Sequence, residues 1–180
     1  MKVLVVGFGS IGHRHVNNLS QYSNMEIIIC TKKKSVSVEI EKKCKIVKSL
    51  KDGIKEKPDI AFITNVTSEH VSTAIKLAEH GINLFIEKPL SHSIEQIDIL
   101  AEIIKRKKIK VMIGSNFRFH ECIKKIKELL NENTIGEIIS IRVECGSYLP
   151  DWHPNEDYRN GYAAKNELGG GIVLTCIHEI

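Results

Sequence analysis

Apolar residues recur along the chain in two rhythms. Through residue 115, short and nearly continuous apolar runs alternate with helical stripes: "KVLVV" (2–6), "EIIIC" (26–30), "CKIVK" (44–48), "DIAFIT" (59–64), "INLFIE" (82–87) and "KVMIG" (110–114). Runs of that length and continuity suit strands covered on both faces. Between them Val71, Ala74, Ile75 and Ala78, and then Ile94, Ile97, Leu100, Ala101 and Ile104, fall at helical spacing. Ser93 and Gln96 have the spacing of a capping box, and Pro58 and Gly81 punctuate the approaches to strands. Alternation of this kind predicts βαβ units, hence a doubly wound parallel α/β sheet over residues 1–118.

After that point the rhythm changes. Ile123, Ile126, Leu129 and Leu130 predict one more helix, and Ile139, Ile141 and Val143 within "EIISIRVECGSY" (137–148) predict a strand solvated on one side. Residues 119–180 therefore read as the opening of a second, α+β domain. The polar stretch 149–171 holds the one tryptophan and is long enough to be a functional loop.

Composition narrows the class. The chain has 180 residues, 42% hydrophobic and 27% charged, with no apolar run near the roughly 20 residues that span a bilayer. It exceeds a commonplace domain of roughly 100–150 residues and falls short of two. "KVLVVGFG" is interrupted by glycine too early for a signal peptide. Five scattered cysteines without a C-x-x-C pair suggest neither a disulfide framework nor zinc, and fit a reducing cytoplasm. The net charge is +4, and the densest basic run, "KRKKIK" (105–110), suits the C-terminal end of a helix better than a nucleic-acid patch. Neither nucleic acid nor a membrane is an expected partner.

The first chemical signal is "VVGFGSIG", which places Gly7, Gly9 and Gly12 in G-x-G-x-x-G spacing between a strand and a helix, with Phe8, Ser10 and Ile11 in the same turn. Gly7 permits the tight turn, Gly9 lets backbone approach a pyrophosphate, and Gly12 lets helix pack on strand. The helix N-terminus then offers free N–H groups to the phosphates. This is the dinucleotide-binding fingerprint of a Rossmann domain. An acidic residue usually follows about 20 positions on, to hold the ribose hydroxyls of NAD. Here that region reads "IIICTKKKS", with Thr31 and then Lys32, Lys33 and Lys34. Cations and a hydroxyl suit a 2′-phosphate and favour NADP(H) over NAD(H); three merely solvated lysines are the alternative.

"NLFIEKPLSHS" puts Glu87, Lys88 and Pro89 at the C-terminal edge of a strand, where open α/β sheets bind ligands. A lysine there can hydrogen-bond a substrate hydroxyl and stabilise charge developing on its oxygen. Trp152, His153, Asp157, Tyr158 and Arg159 in the long loop would suit a hydroxyl-rich or phosphorylated sugar, or a local packing anchor equally well. His13 and His15 on the first helix could reach phosphate or be idle surface residues. His80 and His92 read as surface residues near turns, and His120 as a further candidate for the site. No group of residues has metal-ligand spacing, and no nucleophile motif occurs.

Taken together, "GFGSIG", "ITNVTSEHVSTAIKLAEHGINLFIEKPL", "IGSNFRFH" and "GGGIVLTCIHEI" resemble the glucose-fructose oxidoreductase, inositol dehydrogenase and rhizopine-catabolism (Gfo/Idh/MocA) family, in order and over essentially the whole chain. The resemblance implies a two-domain oxidoreductase, an N-terminal Rossmann domain followed by a domain whose open mixed sheet covers the active site and builds homo-oligomer contacts. It implies that Lys88 contacts substrate beside the nicotinamide, that the bond before Pro89 is cis, and that Thr64, Asn65 and His70 lie beside the cofactor. Asn116 and Arg118 then reach the substrate side. His178 is the implied general base, a neutral imidazole that accepts the hydroxyl proton while hydride passes to the nicotinamide. Many members carry an aspartate four residues earlier. Here that residue is Leu174, so either His178 works with Lys88 alone or activity is reduced.

The resemblance to a branch found with bacterial surface-sugar biosynthesis implies a sugar phosphate or nucleotide sugar as substrate. The reading is thus an NAD(P)-dependent sugar or polyol dehydrogenase with Lys88 and His178 catalytic. Its rival is a non-catalytic dinucleotide-binding or regulatory member of the family, or an inactive truncated fragment. The two-domain plan also leads us to expect that these residues are the N-terminal part of a protein about twice as long.

Overall fold

The structure is a computed structural model that describes residues 1–33, 36–146, 148–152 and 157–176. Lys34, His153, Ile177 and His178 lie outside the described residues, as does the side chain of Trp152.

Six strands form one parallel sheet in the order β3-β2-β1-β4-β5-β6: β1 Lys2–Val6, β2 Glu26–Cys30, β3 Lys45–Val47, β4 Ile60–Ile63, β5 Asn83–Ile86 and β6 Val111–Ile113. All six apolar runs became strands; β1 and β2 bury residues on both faces, while at the edge of the sheet Met112 of β6 is 45% exposed. Leu4, Ile28, Ala61, Leu84 and Ile86 point to one side, where they pack with α4 (His70–Glu79) and α5 (Ile97–Lys107). Leu50 and Ile54 of α3 (Leu50–Lys55) pack against the same core. Val3, Val5, Ile27 and Ile29 point to the other side, against α1 (Ser10–Leu19) and α2 (Val38–Lys43). Burying a side chain such as Leu77, fully enclosed here, is worth about 1.5–3 kcal/mol. The sheet is doubly wound, as expected, and its order reverses between β1 and β4. That reversal opens a crevice at the C-terminal ends of the strands.

Three local expectations fail. Gln96 takes a left-handed conformation (φ 62°), so α5 starts only at Ile97 and no capping box forms; the Ser93 hydroxyl accepts the Glu95 N–H instead, at 3.3 Å. Ile94, left before the helix, is 92% exposed, Ala101 is also exposed, and Ile103 fills the core. The stretch 137–146 is not a strand: Ile139 and Ile141 stand in solvent and no described segment lies alongside to complete a ladder. Alternation is a pattern of faces, and without a neighbour it makes no sheet.

The basic run does end α5, with Lys105, Arg106 and Lys107 in its last turn and Arg106 paired to Glu79 of α4 at 2.6 Å. α6 (Glu121–Asn131) follows, with Ile123 and Ile126 exposed on its apolar stripe. α7 (Leu149–Trp152) and three single 3-10 turns lead to α8 (Ile172–Cys176). This last segment returns to the sheet's C-terminal edge: a Cβ added to Gly169 would lie 2.8 Å from Thr67 Cβ.

Candidate functional site

The glycine turn divides its three glycines by what surrounds them. Gly7 has φ +94°, and a Cβ there would lie 2.6 Å from the Asn65 nitrogen; a Cβ on Gly12 would lie 2.3 Å from the Gly7 carbonyl oxygen. These two are required by packing. Gly9 differs, because nothing comes within 4 Å of its added Cβ. Its open side faces the entrance to α1, which has no side-chain cap and no acidic residue in its first turn. Unclaimed N–H groups at a helix N-terminus, approached over a bare backbone, fit a pyrophosphate.

The end of β4 clamps this turn. Thr64 is buried, its N–H donates to the Val6 carbonyl at 2.8 Å, and its hydroxyl lies 3.1 and 2.9 Å from the carbonyl oxygens of Val6 and Gly7. Asn65 donates through Nδ2 to Glu69 at 3.0 Å and to Thr73 at 3.1 Å, while its buried Oδ1 has no partner among the described residues. His70, 2% exposed, spans from the Asn65 carbonyl oxygen (Nε2, 3.1 Å) to that of Pro89 (Nδ1, 2.9 Å). Burial lowers its pKa; the two carbonyls, then Glu87 and Glu69, pull the other way. A neutral ring donates to only one of the two oxygens.

Lys88 follows β5 and precedes a cis bond to Pro89, as expected. Its amine donates to the Thr175 carbonyl at 3.1 Å, so α8 sits directly over it. At the other end, Thr31 is buried, its N–H donates to Val47 at 3.1 Å, and its hydroxyl accepts the Lys33 N–H at 3.2 Å. Lys32 and Lys33 are exposed, and Lys48 donates to the Lys33 carbonyl at 2.7 Å.

These parts line one cleft of about 950 Å³. Gly7, Phe8, Gly9, Ser10, Ile11, Thr31, Lys32, Thr64, Asn65, His70, Glu87, Lys88 and Tyr158 all reach it, and Gly12 supports it from behind. Asn116 and Arg118 do not: both are exposed on the 3-10 turn Asn116–Phe119. Arg159 is also exposed and forms a two-pronged pair with Asp157 (2.8 and 2.9 Å), which lowers the carboxyl pKa and raises that of the guanidinium. His120 serves as the N-cap of α6, its Nδ1 accepting the Cys122 N–H at 3.3 Å.

Sequence reasoning missed several lining residues: Lys48 and Ser49 after β3, Ser72 and Lys76 on α4, and Tyr162, Ile172 and Thr175 from the returning segment. The first two were findable, because every strand's C-terminal end borders the crevice of such a sheet. Burial, helped by Glu87 and Cys176, pushes the Tyr162 phenol pKa up. Among the described residues no group of three or more histidine, cysteine, aspartate or glutamate side chains could hold a metal, and no helix is long and apolar enough to cross a membrane.

Comparison with known proteins extends this geometry. Residues 1–115 match the family model GFO_IDH_MocA, described as an oxidoreductase family with an NAD-binding Rossmann fold. A myo-inositol 2-dehydrogenase of Thermotoga maritima is 28% identical over 185 residues, covering 99% of this chain and 52% of that protein. A levoglucosan dehydrogenase of Pseudarthrobacter phenanthrenivorans is 30% identical over 124 residues, covering 68% of this chain and 31% of its own length. Among solved structures, an NAD-binding protein from Listeria innocua superposes with a TM-score of 0.72 at 26% identity, covering 96% of this chain and 50% of that one. The chain thus spans about half the length of such relatives, or less.

Proposed function

The chain belongs to the Gfo/Idh/MocA family of oxidoreductases, and from that premise we propose that the protein transfers a hydride between a nicotinamide dinucleotide and a carbinol carbon of a sugar, sugar phosphate or nucleotide sugar. One observation carries the reading: the bare Gly9 turn and the Lys88 amine open onto the same cleft, at the point where the strand order reverses. The bound nicotinamide would supply the hydride acceptor or donor. The residues around it have separable tasks. Gly7, Phe8, Gly9, Ser10, Ile11 and Gly12 hold the pyrophosphate, Thr31 and Lys32 the adenosine ribose, and Thr64, Asn65 and His70 the floor between them and Lys88.

Lys88 orients the substrate hydroxyl and stabilises charge on its oxygen. His178 accepts the proton in this reading, a role that rests on the family resemblance. Asn116, Arg118, Trp152, Tyr158 and Arg159 complete the substrate side when a second domain beginning at residue 119 closes over the cleft and joins subunits in a homo-oligomer. The names of the Thermotoga and Pseudarthrobacter relatives support a sugar or polyol as substrate. Lys32 and Lys33 after β2, where a carboxylate would otherwise hold a ribose, support NADP(H) over NAD(H) in a cytoplasmic enzyme.

A second reading, a dinucleotide-binding protein without turnover, is favoured by Leu174 in place of an expected carboxylate. Titration with both dinucleotides, followed by reduced-nicotinamide absorbance across polyols, sugar phosphates and nucleotide sugars, separates them. Binding with turnover supports the first reading and binding without it the second. Absence of binding removes both.

A further inference from the structure

The turn after β3 brings a further cation to one end of the cleft. β3 pairs with β2 so that Val47 lies opposite Cys30, and the Thr31 N–H extends that ladder to the Val47 carbonyl at 3.1 Å. Lys48, the next residue, therefore runs beside Thr31, Lys32 and Lys33, and all four line the cleft. Its ammonium donates to the Lys33 carbonyl oxygen at 2.7 Å. The Lys33 N–H is held by the Thr31 hydroxyl at 3.2 Å, and the Lys33 ammonium lies 5.9 Å from the centroid of the Phe8 ring in the glycine turn.

One bond fixes where the Lys48 ammonium stands, and an ammonium has three donors to give. Among the described residues no ion pair includes it. The next acidic residues along the chain are engaged elsewhere: Asp52 accepts the Ser49 hydroxyl at 2.6 Å and pairs with Lys55 at 3.0 Å, and Glu56 pairs with Lys45 at 2.7 Å. Cations gathered at one end of a cleft without a carboxylate fit an anion, and their place in the sheet says which. Adjacent strands lie about 4.8 Å apart, so Lys48, after β3, stands about 10 Å across the sheet from the Gly9 turn after β1. That is too far for a pyrophosphate seated on α1, and one strand beyond the β2 end, where such folds hold the adenosine ribose. We infer that Lys48 is a specificity-determining residue: its ammonium, anchored on the Lys33 carbonyl, joins Lys32 in binding a 2′-phosphate on that ribose. A phosphate monoester brings these cations a charge of about −1.5 to −2 at pH 7, and a hydroxyl brings none. The inference rests on the reading of the cleft as a nicotinamide dinucleotide site that prefers NADP(H).

The test is a ratio of affinities and needs no turnover. The chain is titrated calorimetrically with NADP⁺ and NAD⁺, and with adenosine 2′,5′-bisphosphate and 5′-AMP, a pair that needs no nicotinamide site. Lys48→Met keeps the aliphatic stem and removes the charge. We expect the NADP⁺ to NAD⁺ affinity ratio, and that of the bisphosphate to 5′-AMP, to fall about tenfold, as for the loss of one charge-assisted hydrogen bond. Lys48→Arg, which keeps charge and donors, should hold both ratios within about threefold of the parent.

A Lys48 that only fastened the loop through the Lys33 carbonyl would weaken both members of each pair by the same factor. Unchanged ratios in folded Lys48→Met therefore overturn the inference, and leave the parent's preference for NADP⁺ standing. A parent that binds NAD⁺ more tightly, or neither dinucleotide, overturns the inference together with the cofactor reading beneath it. Should Lys48→Met lose its thermal transition, Lys48→Gln, also uncharged, takes its place under the same criteria.

Discussion

The amine of Lys88 and the carbonyl oxygen of Thr175, 87 positions apart in sequence, lie 3.1 Å from one another. That bond holds the returning segment over the part of the cleft where substrate would sit. In the proposed reaction Lys88 would thus have a second task, and two readouts of one variant tell the tasks apart. Lys88→Ala should lower hydride transfer by about 10²–10⁴ in the full-length protein while changing dinucleotide affinity less than about threefold. It should also speed proteolysis within 157–176. Turnover equal to the parent's would remove Lys88 from the mechanism.

Gly9 and Gly12 make a second contrast. Gly9 has φ −82°, which alanine accepts, and open space around it. Gly9→Ala should leave the melting temperature unchanged and weaken dinucleotide binding about tenfold or more, since its methyl occupies the approach of the pyrophosphate. Gly12→Ala drives a methyl into the Gly7 carbonyl and should destabilise by about 1–3 kcal/mol in addition. Equal binding by Gly9→Ala and the parent, in paired calorimetric titrations, would contradict this assignment.

The lysines after β2 give a third prediction. Replacing Lys32 and Lys33 together by alanine should weaken NADP(H) about tenfold or more and leave NAD(H) within about twofold, as expected for charges that meet only a 2′-phosphate. A parallel loss for both dinucleotides would place the lysines on the shared pyrophosphate. A parent that binds NAD(H) more tightly would reverse the proposed preference.

His70 gives the protein an acid limit. Burial holds its folded pKa below the ordinary value of 6.5, so the unfolded chain binds the proton more readily. The stability contributed by the neutral ring is complete above about pH 6.5 and is lost as pH falls towards the folded pKa, at up to about 1.4 kcal/mol per pH unit. Urea unfolding between pH 8 and 5 should show this slope, and His70→Asn should flatten it. An identical slope in the variant would assign the acid limit to another group.

Much of this was legible in the sequence, for reasons that differ by residue. The six strands and the Gly7-Gly9-Gly12 turn could be read because short continuous apolar runs and steric fit at a glycine are local demands. Tyr162 and Thr175 could not, because they enter the cleft only when a distant segment returns to the sheet. Ile94 was misplaced because its spacing continues the helical stripe, whereas the left-handed backbone at Gln96 breaks the helix after it. His15 was open between a phosphate ligand and an idle surface residue; nothing in the chain order announces that α1 carries it onto Glu87.

The stretch 137–146 has a consequence for anyone handling these 180 residues. Between 138 and 144 no backbone N–H donates to another backbone carbonyl among the described residues, while Ile139 and Ile141 stand in solvent. Amide hydrogens there should exchange with deuterium as fast as in a free peptide, long before those of β1 and β4. An alternating apolar segment whose backbone N–H groups from 138 to 144 join no ladder among the described residues is also a template for a second strand. Two copies of the chain can each supply what the other lacks, so clouding at high concentration would begin at this segment rather than in the dinucleotide fold, and a lysine at position 139 or 141 would suppress it.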